Sequence, residues 1–454
     1  MTKKLLTAGS AYADILSTGA RAAALLAVAV ACRLPAEAVE DRAAWFREAR
    51  FGLFVHWGIY SMPPARGEWA YTRADCDRAA YRLRANRFNP TAYDPSAWAR
   101  LAKAAGMKYI VFTTRHHDGF CMFDSHFTDY KITNSPFGRD AVRMMVEAFR
   151  KEGLRVGFYH SLPDWNHPGY VDPETPEAIN GHPKRPATPE EHQALKDLIF
   201  NHIRQLMTEY GRIDLLFTDY TSKYKAGEDY FDRERILKMV YECQPDIIVN
   251  DRLAFYKDDC RDFDYYTPEI CVPNQPQQVK GREVPWETCA TMNDSWGYSA
   301  EDHNYKTVEA LVAGLVGCVS RNGNLLLNVG PDSLGRFPRE AEERLNGIAE
   351  WYAANGESVA GCGMSAYRPP FGCAYTQKGD ALYCHFLQIP LGDTILPELK
   401  GKIVGATLLR TGEPVELVDD WGFELLRPDE QRIRMRNLRV GDVVRIDLKP
   451  GSRR

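Results

Sequence analysis

Short apolar runs in this chain lead repeatedly into residues that can do chemistry. Phe51–His56 ends in His56 and continues to Trp57, with Glu68-Trp69 in the loop beyond. Lys108–Thr114 leads to Arg115-His116-His117-Asp118, and Leu154–His160 ends in Tyr159-His160 ahead of Asp164-Trp165. Ile213–Thr218 contains Phe217 and leads to Asp219, and Ile247–Asp251 leads to Arg252. Glu269 and Glu287 follow among Tyr265, Tyr266, Trp286, Trp296 and Tyr298. Taken singly these are weak signals: a His after a strand is commonly a hydrogen-bonded structural residue, and an Asp there a helix cap. Four His, several Trp and at least three carboxylates at successive strand ends are better explained by one pocket.

The chemistry is narrowed by what the spacing omits. There is no G-x-S-x-G elbow, no P-loop and no G-x-G-x-x-G after a strand. H-x-H and H-E-x-x-H are absent, and adjacent His116 and His117 on an extended chain point opposite ways, so neither a metal nor another cofactor is expected. Paired carboxylates, hydrogen-bonding His and Trp faces remain, and a carboxylate pair hydrolyses glycosides: one attacks the sugar carbon, the other protonates the departing oxygen. Asp219, after Leu-Leu-Phe-Thr, is expected at the mouth of the fold as the nucleophile. Glu269 is the preferred acid/base because its loop is long. Glu287, beside a Trp, stays open as the alternative, or as a pocket-wall residue. Asp214, at the other end of the same run, reads as structural.

These residues require elements that carry them to one place. Near-continuous Val/Ile/Leu/Phe runs suit strands buried on both faces, hence a parallel sheet. Helical periods lie between them, at Pro95–Ala105, Asp140–Glu152, Glu190–Tyr210, Phe231–Cys243, Thr307–Ser320 and Arg339–Ala354, several ending at Gly or before Pro. At least six strand–helix repeats predict an α/β fold, a (β/α)8-like (TIM-type) barrel; an open doubly wound sheet is the rival. Polar and aromatic residues after nearly every strand favour the barrel. After about Gly361, short strands separated by Gly, Pro and Asp turns predict a C-terminal antiparallel β-sandwich, including Ala381–Leu387, Ile403–Leu409, Phe423–Leu426 and Val443–Leu448. The expected organisation is an N-terminal segment 1–40, a catalytic barrel 41–360 and the sandwich 361–454. Segment 166–190, rich in Pro and His, reads as a loop over the barrel mouth.

Lys and Arg total 57 against 61 Asp and Glu, a net charge of −4, which excludes a polybasic nucleic-acid binder. The 11 Cys are scattered without a C-x-x-C pair and read as buried thiols rather than a disulfide framework. Lys3, Lys4 and Arg21 precede the apolar run Ala22–Ala31 and then Ala36-Glu37-Ala38, a pattern expected of a secretory signal. On that reading the protein is exported, periplasmic or extracellular; without it, cytoplasmic. No later run is long enough for a membrane span. A homo-oligomer is compatible with the sequence.

Several of these stretches resemble the α-L-fucosidases of glycoside hydrolase family 29. Trp45–Trp69 (WFREARFGLFVHWGIYSMPPARGEW) is similar to that family's opening barrel segment, and Thr114–Phe120 (TRHHDGF) to its double-His strand end. Trp286–Tyr298 (WETCATMNDSWGY) and Gly323–Pro331 (GNLLLNVGP) match later signatures. The resemblance, over about residues 41–360, implies a barrel followed by a β-sandwich and retaining exo-hydrolysis of α-L-fucosides on fucosylated glycans without a metal. It also implies a nucleophile at Asp219 and an acid/base at Glu269, with Glu287 competing. The sugar contacts it implies are His56, Glu68, Trp69, His116, His117, Arg252 and Trp296, with Tyr159 or His160. Fucose carries a methyl at C5 and an axial hydroxyl at C4, so Trp296 or Phe217 suits the methyl and His56, His116 and His117 suit the hydroxyls as donors. The chain departs from the family at Phe217-Thr218-Asp219-Tyr220, where Trp-x-Asp-Gly is usual, and at His160, where Tyr is common. Two other functions fit the same residues: a metal-dependent barrel hydrolase using His56, His116 and Asp219, and a fucose-binding protein without turnover.

Overall fold

A computed structural model describes residues 41–170, 178–179, 182–183, 185–219, 230–253, 263–419 and 427–452. Seven parallel strands form its principal sheet: β1 (Phe51–Val55), β2 (Tyr109–Arg115), β3 (Arg155–Ser161), β4 (Leu215–Asp219), β5 (Ile248–Val249), β6 (Glu287–Thr291) and β7 (Asn324–Val329). Their order is β6-β7-β1-β2-β3-β4-β5. Between the two edge strands runs the segment 265–269. Its Tyr265 bridges Asn250 next to β5, Tyr266 bridges Trp286, and Glu269 bridges Cys289 of β6, all in parallel. This irregular stretch stands where the eighth strand of a (β/α)8 barrel belongs, and it carries Glu269. The barrel expectation holds; β6, which places Glu287 on a strand rather than in a loop, was not anticipated.

Helices follow the strands because their ends are written in the sequence. Asp94 caps Pro95–Ala104, Asp140 caps Ala141–Lys151, and Thr188 with Glu191 makes a capping box for Pro189–Glu209. Arg233–Cys243, Val308–Val319 and Arg339–Asn355 complete the set anticipated from periodicity. Two cores result. Leu53, Val55, Ile110, Phe112, Val156, Phe158, Leu325 and Leu327 face outward against the helices. Phe54, Tyr109, Val111, Tyr159, Leu215, Phe217, Cys289 and Leu326 fill the barrel interior. Alternate residues of each strand therefore take opposite faces. Gly52 occupies an inward position in β1 because the Tyr109 ring lies across it, so close that an added Cβ would stand 2.4 Å from the ring.

From Gly363 onward the chain is antiparallel. A six-stranded sheet centred on Cys373–Lys378, Ala381–Phe386, Val443–Leu448 and Ile403–Leu408 faces a three-stranded sheet of Thr394–Leu396, Gln431–Arg434 and Glu416–Val418. Leu382, Cys384, Phe386, Leu396, Ile433, Val444 and Ile446 form the core between them, as a sandwich requires. On the other face, Tyr383 and Val443 join the core around the barrel, and the Trp351 indole N–H donates to the Gly441 carbonyl at 2.7 Å. The described cysteines are all free. Among the described residues no helix is long and apolar enough to cross a membrane. The N-terminal signal-like segment, the expected strand Phe423–Leu426, Tyr220 and much of 166–190 lie outside the described residues.

Candidate active site

Inward-facing residues at the C-terminal ends of the strands enclose a cavity of about 110 Å³. Its walls are Phe54 of β1 and His56 just after it, His116 and His117 after β2, Tyr159 of β3, and Phe217 and Asp219 of β4. Arg252, Glu269, Cys289, Trp69 and Trp296 complete it. Ten residues named from sequence thus converge on one pocket, and Phe54 and Cys289 are additions. Both were legible in principle: Phe54 lies two residues before His56 and Cys289 two before Thr291, on the inward phase of their strands. That phase is hidden because outward neighbours such as Leu53 and Val55 are equally apolar.

Asp219 is the last residue of β4, two residues beyond inward Phe217, so its carboxylate surfaces at the barrel mouth. Tyr159 Oη donates to Asp219 Oδ2 at 2.6 Å, and the Arg252 guanidinium pairs with Oδ1. Burial pushes this carboxyl up, but the Arg252 charge, His117 and the Tyr159 hydrogen bond outweigh it and hold the pKa at about 2. Arg252 sits on a one-turn 3-10 helix after β5, its Nε donating to Thr267 Oγ1 at 3.2 Å and its guanidinium over the Phe217 ring. The second arm of its fork, Nη2, donates to Glu269 at 2.6 Å. One guanidinium therefore carries both carboxylates, which keeps their oxygens within roughly 7 Å of each other given the fixed fork geometry. That bound accommodates the separation of about 5–5.5 Å used in retaining glycoside hydrolysis.

The histidines act differently from the expectation. Burial lowers His56 and His117 to about 4 and His116 well below its ordinary value, so all three are neutral near pH 7. His56 Nδ1 lies 2.7 Å from Asn328 Oδ1, and the Asn328 amide nitrogen donates to the Trp296 carbonyl at 2.7 Å. That second bond sets the amide orientation, so His56 Nδ1 holds the proton and Nε2 is an acceptor. Ser161 Oγ donates to the Pro163 carbonyl at 2.7 Å and so receives the proton of His117 Nδ1 at 2.6 Å. His117 Nε2 is therefore an acceptor too, 3.7 Å from Asp219 Oδ2. His56 and His117 therefore each turn an acceptor nitrogen, not a donor, away from these partners. Asn328 and Ser161, which impose this, were not identified from sequence, although Asn328 lies within Gly323–Pro331, two residues after inward Leu326; nothing in the spacing of Ser161 marks it.

Trp69, on the 3-10 turn Glu68–Thr72, is 41% exposed at the rim and packs on Trp165 and His117. Trp296 lies beside His56, its ring centre 5.1 Å away. Three expected site residues do not line the cavity. Glu68 is buried beneath the Trp69 turn, accepting from Gly297 N at 2.7 Å, and ties that turn to the loop bearing Trp296. His160 is on the outward phase of β3, fully buried against Thr114 and His202, because its neighbour Tyr159 takes the inward face. Glu287 faces inward but opens β6, two residues below Cys289 and so about 6.6 Å deeper. There it accepts from the Tyr109 hydroxyl, its Oε1 has no partner among the described residues, and burial pushes its pKa up to about 8. It is a neutral acid in the barrel floor. Asp214 is structural as expected, bonding Arg155 and the Val156 N–H. Among the described residues no group of three His, Cys, Asp or Glu is arranged to hold a metal ion.

A barrel whose mouth holds two carboxylates on one guanidinium, neutral imidazoles and aromatic faces has the make-up of a retaining glycoside hydrolase. The sequence model of the α-L-fucosidase family matches residues 33–357, and the chain belongs to that family. Among solved structures it is similar to α-L-fucosidase isoenzyme 1 from Paenibacillus thiaminolyticus, 39% identical with a TM-score of 0.83, covering 90% of this chain and 99% of that one. It is also similar to a family 29 α-L-fucosidase from Bacteroides thetaiotaomicron trapped as a covalent intermediate, at 26% identity and a TM-score of 0.77, covering 89% and 95% of the two chains. The human tissue α-L-fucosidase is 30% identical over 374 residues, 76% of each chain.

Proposed function

We propose that this chain removes terminal α-L-fucosyl residues from glycans with retention, Asp219 acting as nucleophile and Glu269 as acid/base. The observation that carries the assignment is the Arg252 fork, which among the described residues holds these two carboxylates and no others. Asp219, kept ionised, attacks the anomeric carbon; the glycosidic bond breaks, and Glu269 gives its proton to the departing oxygen. In the second step Glu269 takes a proton from water, the water oxygen bonds to the same carbon, and Asp219 leaves. Glu269 is the more exposed of the pair, with 41% of its side chain accessible against 15% for Asp219, as suits a group reaching an aglycone outside the pocket. Phe217, Phe54 and Trp296 supply apolar contact for the sugar methyl, while His56 and His117 accept from ring hydroxyls. A cavity of about 110 Å³ is far below the roughly 300–1,000 Å³ of drug-sized sites, which favours a single terminal sugar and hence exo action.

We further read 41–360 as the catalytic part, 361–454 as its β-sandwich companion, and 1–40 as an export signal. The test of the chemistry is Asp219→Ala with an aryl α-L-fucoside: hydrolysis falls to background, and azide restores turnover with β-fucosyl azide as product. Glu269→Ala loses most on poor leaving groups and least on activated ones. Full activity in Asp219→Ala, or a leaving-group dependence found in Glu287→Ala instead, overturns the assignment.

A further inference from the structure

Beside the sugar pocket lies a second cavity, larger at about 250 Å³. We propose that it binds an acidic sugar of the aglycone, through the oxyanion of a sulfate ester or a carboxylate; this rests on the fucosidase reading and extends it. The chain as a whole is net negative, yet 66–87 carries six arginines and no lysine against three acidic residues. Four of these arginines, Arg66, Arg73, Arg84 and Arg87, line the cavity over a floor that includes Ala70 and Tyr81. The two carboxylates also in the wall are already engaged: Asp75 pairs with Arg66 at 2.6 Å and with Arg73 at 3.7 Å, and Asp77 accepts from the Ala80 N–H at 3.1 Å, which leaves Arg84 and Arg87 as the arginines open to a ligand.

Arg84 and Arg87 have no carboxylate partner among the described residues. The Arg84 guanidinium lies over the Tyr81 ring, 4.7 Å from its centre, and among the described residues otherwise reaches only the Met62 and Pro64 carbonyls, at 3.3 and 3.4 Å. Arg87 has no hydrogen bond or ion pair among the described residues. A guanidinium over a ring in a cavity wall offers the planar fork that oxyanions accept. Neutral sugars gain little from the charges of Arg84 and Arg87, whereas a sulfate or carboxylate on an amphipathic sugar ring matches both wall and floor.

The position makes it an aglycone site. Ala70 in its wall adjoins Trp69 in the wall of the sugar pocket, on one 3-10 turn. Arg66 bridges Ser299, in the loop that carries Trp296, and Gly67 N donates to the Tyr298 carbonyl at 3.2 Å. A glycan leaving the sugar pocket across the exposed Trp69 ring arrives at the arginines.

The test uses the full chain and the variant Arg84→Gln/Arg87→Gln. Calorimetric titration with N-acetylglucosamine 6-sulfate and with N-acetylneuraminic acid, against N-acetylglucosamine as neutral control, reads binding without turnover and separates the sulfate and carboxylate sources. At least one acidic sugar binds wild type tenfold or more tightly than the control, and the preference disappears in the variant and in 0.5 M salt. In parallel, kcat/KM on a fucosylated disaccharide rises at least tenfold when its acceptor carries the acidic group, while hydrolysis of an aryl α-L-fucoside is equal in wild type and variant. Equal binding of acidic and neutral sugars by wild type overturns the proposal. Loss of all fucoside hydrolysis would strike the fucosidase reading alone, since the titration needs no turnover.

Discussion

Replacing Arg252 by Met tests the electrostatic design of the site most directly. Asp219 is held at about 2 instead of 3.8, a depression of about 2 pH units that corresponds to roughly 2–3 kcal/mol favouring the ionised carboxylate. Arg252 is the largest opposing influence to burial, and His117, which is protonated in the acid range where Asp219 titrates, and the Tyr159 hydrogen bond are weaker. Without the guanidinium, burial dominates, and the Asp219 pKa moves above its ordinary value. The nucleophile works only when deprotonated, so activity is lost as pH falls through that pKa. In wild type, kcat/KM for an aryl α-L-fucoside stays level down to about pH 4, where His56 and His117 take up protons and lose their acceptor nitrogens. In Arg252→Met the Asp219 pKa rises past that point and the acid limb moves up with it, with a tenfold fall per unit below it. The plateau also drops, because Arg252 positions Glu269, so the limb and not the height is the readout. An acid limb at the same pH in both proteins refutes the account of how Asp219 is kept ionised.

Other consequences follow from the neighbouring groups. Glu287, with a folded pKa of about 8 against 4.5 unfolded, binds more protons in the native than in the unfolded state between those values, so its contribution to stability falls as pH rises through that window. Denaturant melts of Glu287→Gln should therefore show the variant gaining on wild type from pH 5 to pH 8, with fucoside hydrolysis retained; a gap that does not change with pH contradicts a neutral Glu287. Asn328→Leu releases His56 from its Nδ1–H tautomer, and loss of one hydrogen bond to a sugar hydroxyl raises KM about tenfold with kcat less affected, a change of about 1.4 kcal/mol. An unchanged KM on an aryl α-L-fucoside removes the acceptor role given to His56.

Much of the site could be read from order along the chain. Asp219, His56 and the His116-His117 pair each follow an apolar run, and in a parallel barrel whatever follows a strand is delivered to one rim. The helices were legible for a similar reason, since caps such as Asp94, Asp140 and Thr188 act on the turn immediately after them. His160 and Glu287 show where this reading stops. His160 directly follows Tyr159, yet the two occupy opposite faces. Strands covered by helices outside and side chains inside are apolar throughout, so the period of two that would separate such neighbours is erased. Glu287 has the composition of a site residue, but β6 begins with it, and a strand's first residue lies at the barrel floor.

Local interactions are set by residues near in sequence, and for that reason the amino-acid order by itself determined the helices, the repeated strand–helix pattern, the sandwich and the membership of the rim. Depth within the barrel, the sharing of Asp219 and Glu269 by one guanidinium, and the proton positions on His56 and His117 were decided only by tertiary structure. Each depends on contacts between segments far apart in sequence, such as Arg252 with Asp219 or His56 with Asn328. Such contacts follow from strand register and closure of the sheet, which no short stretch of sequence contains.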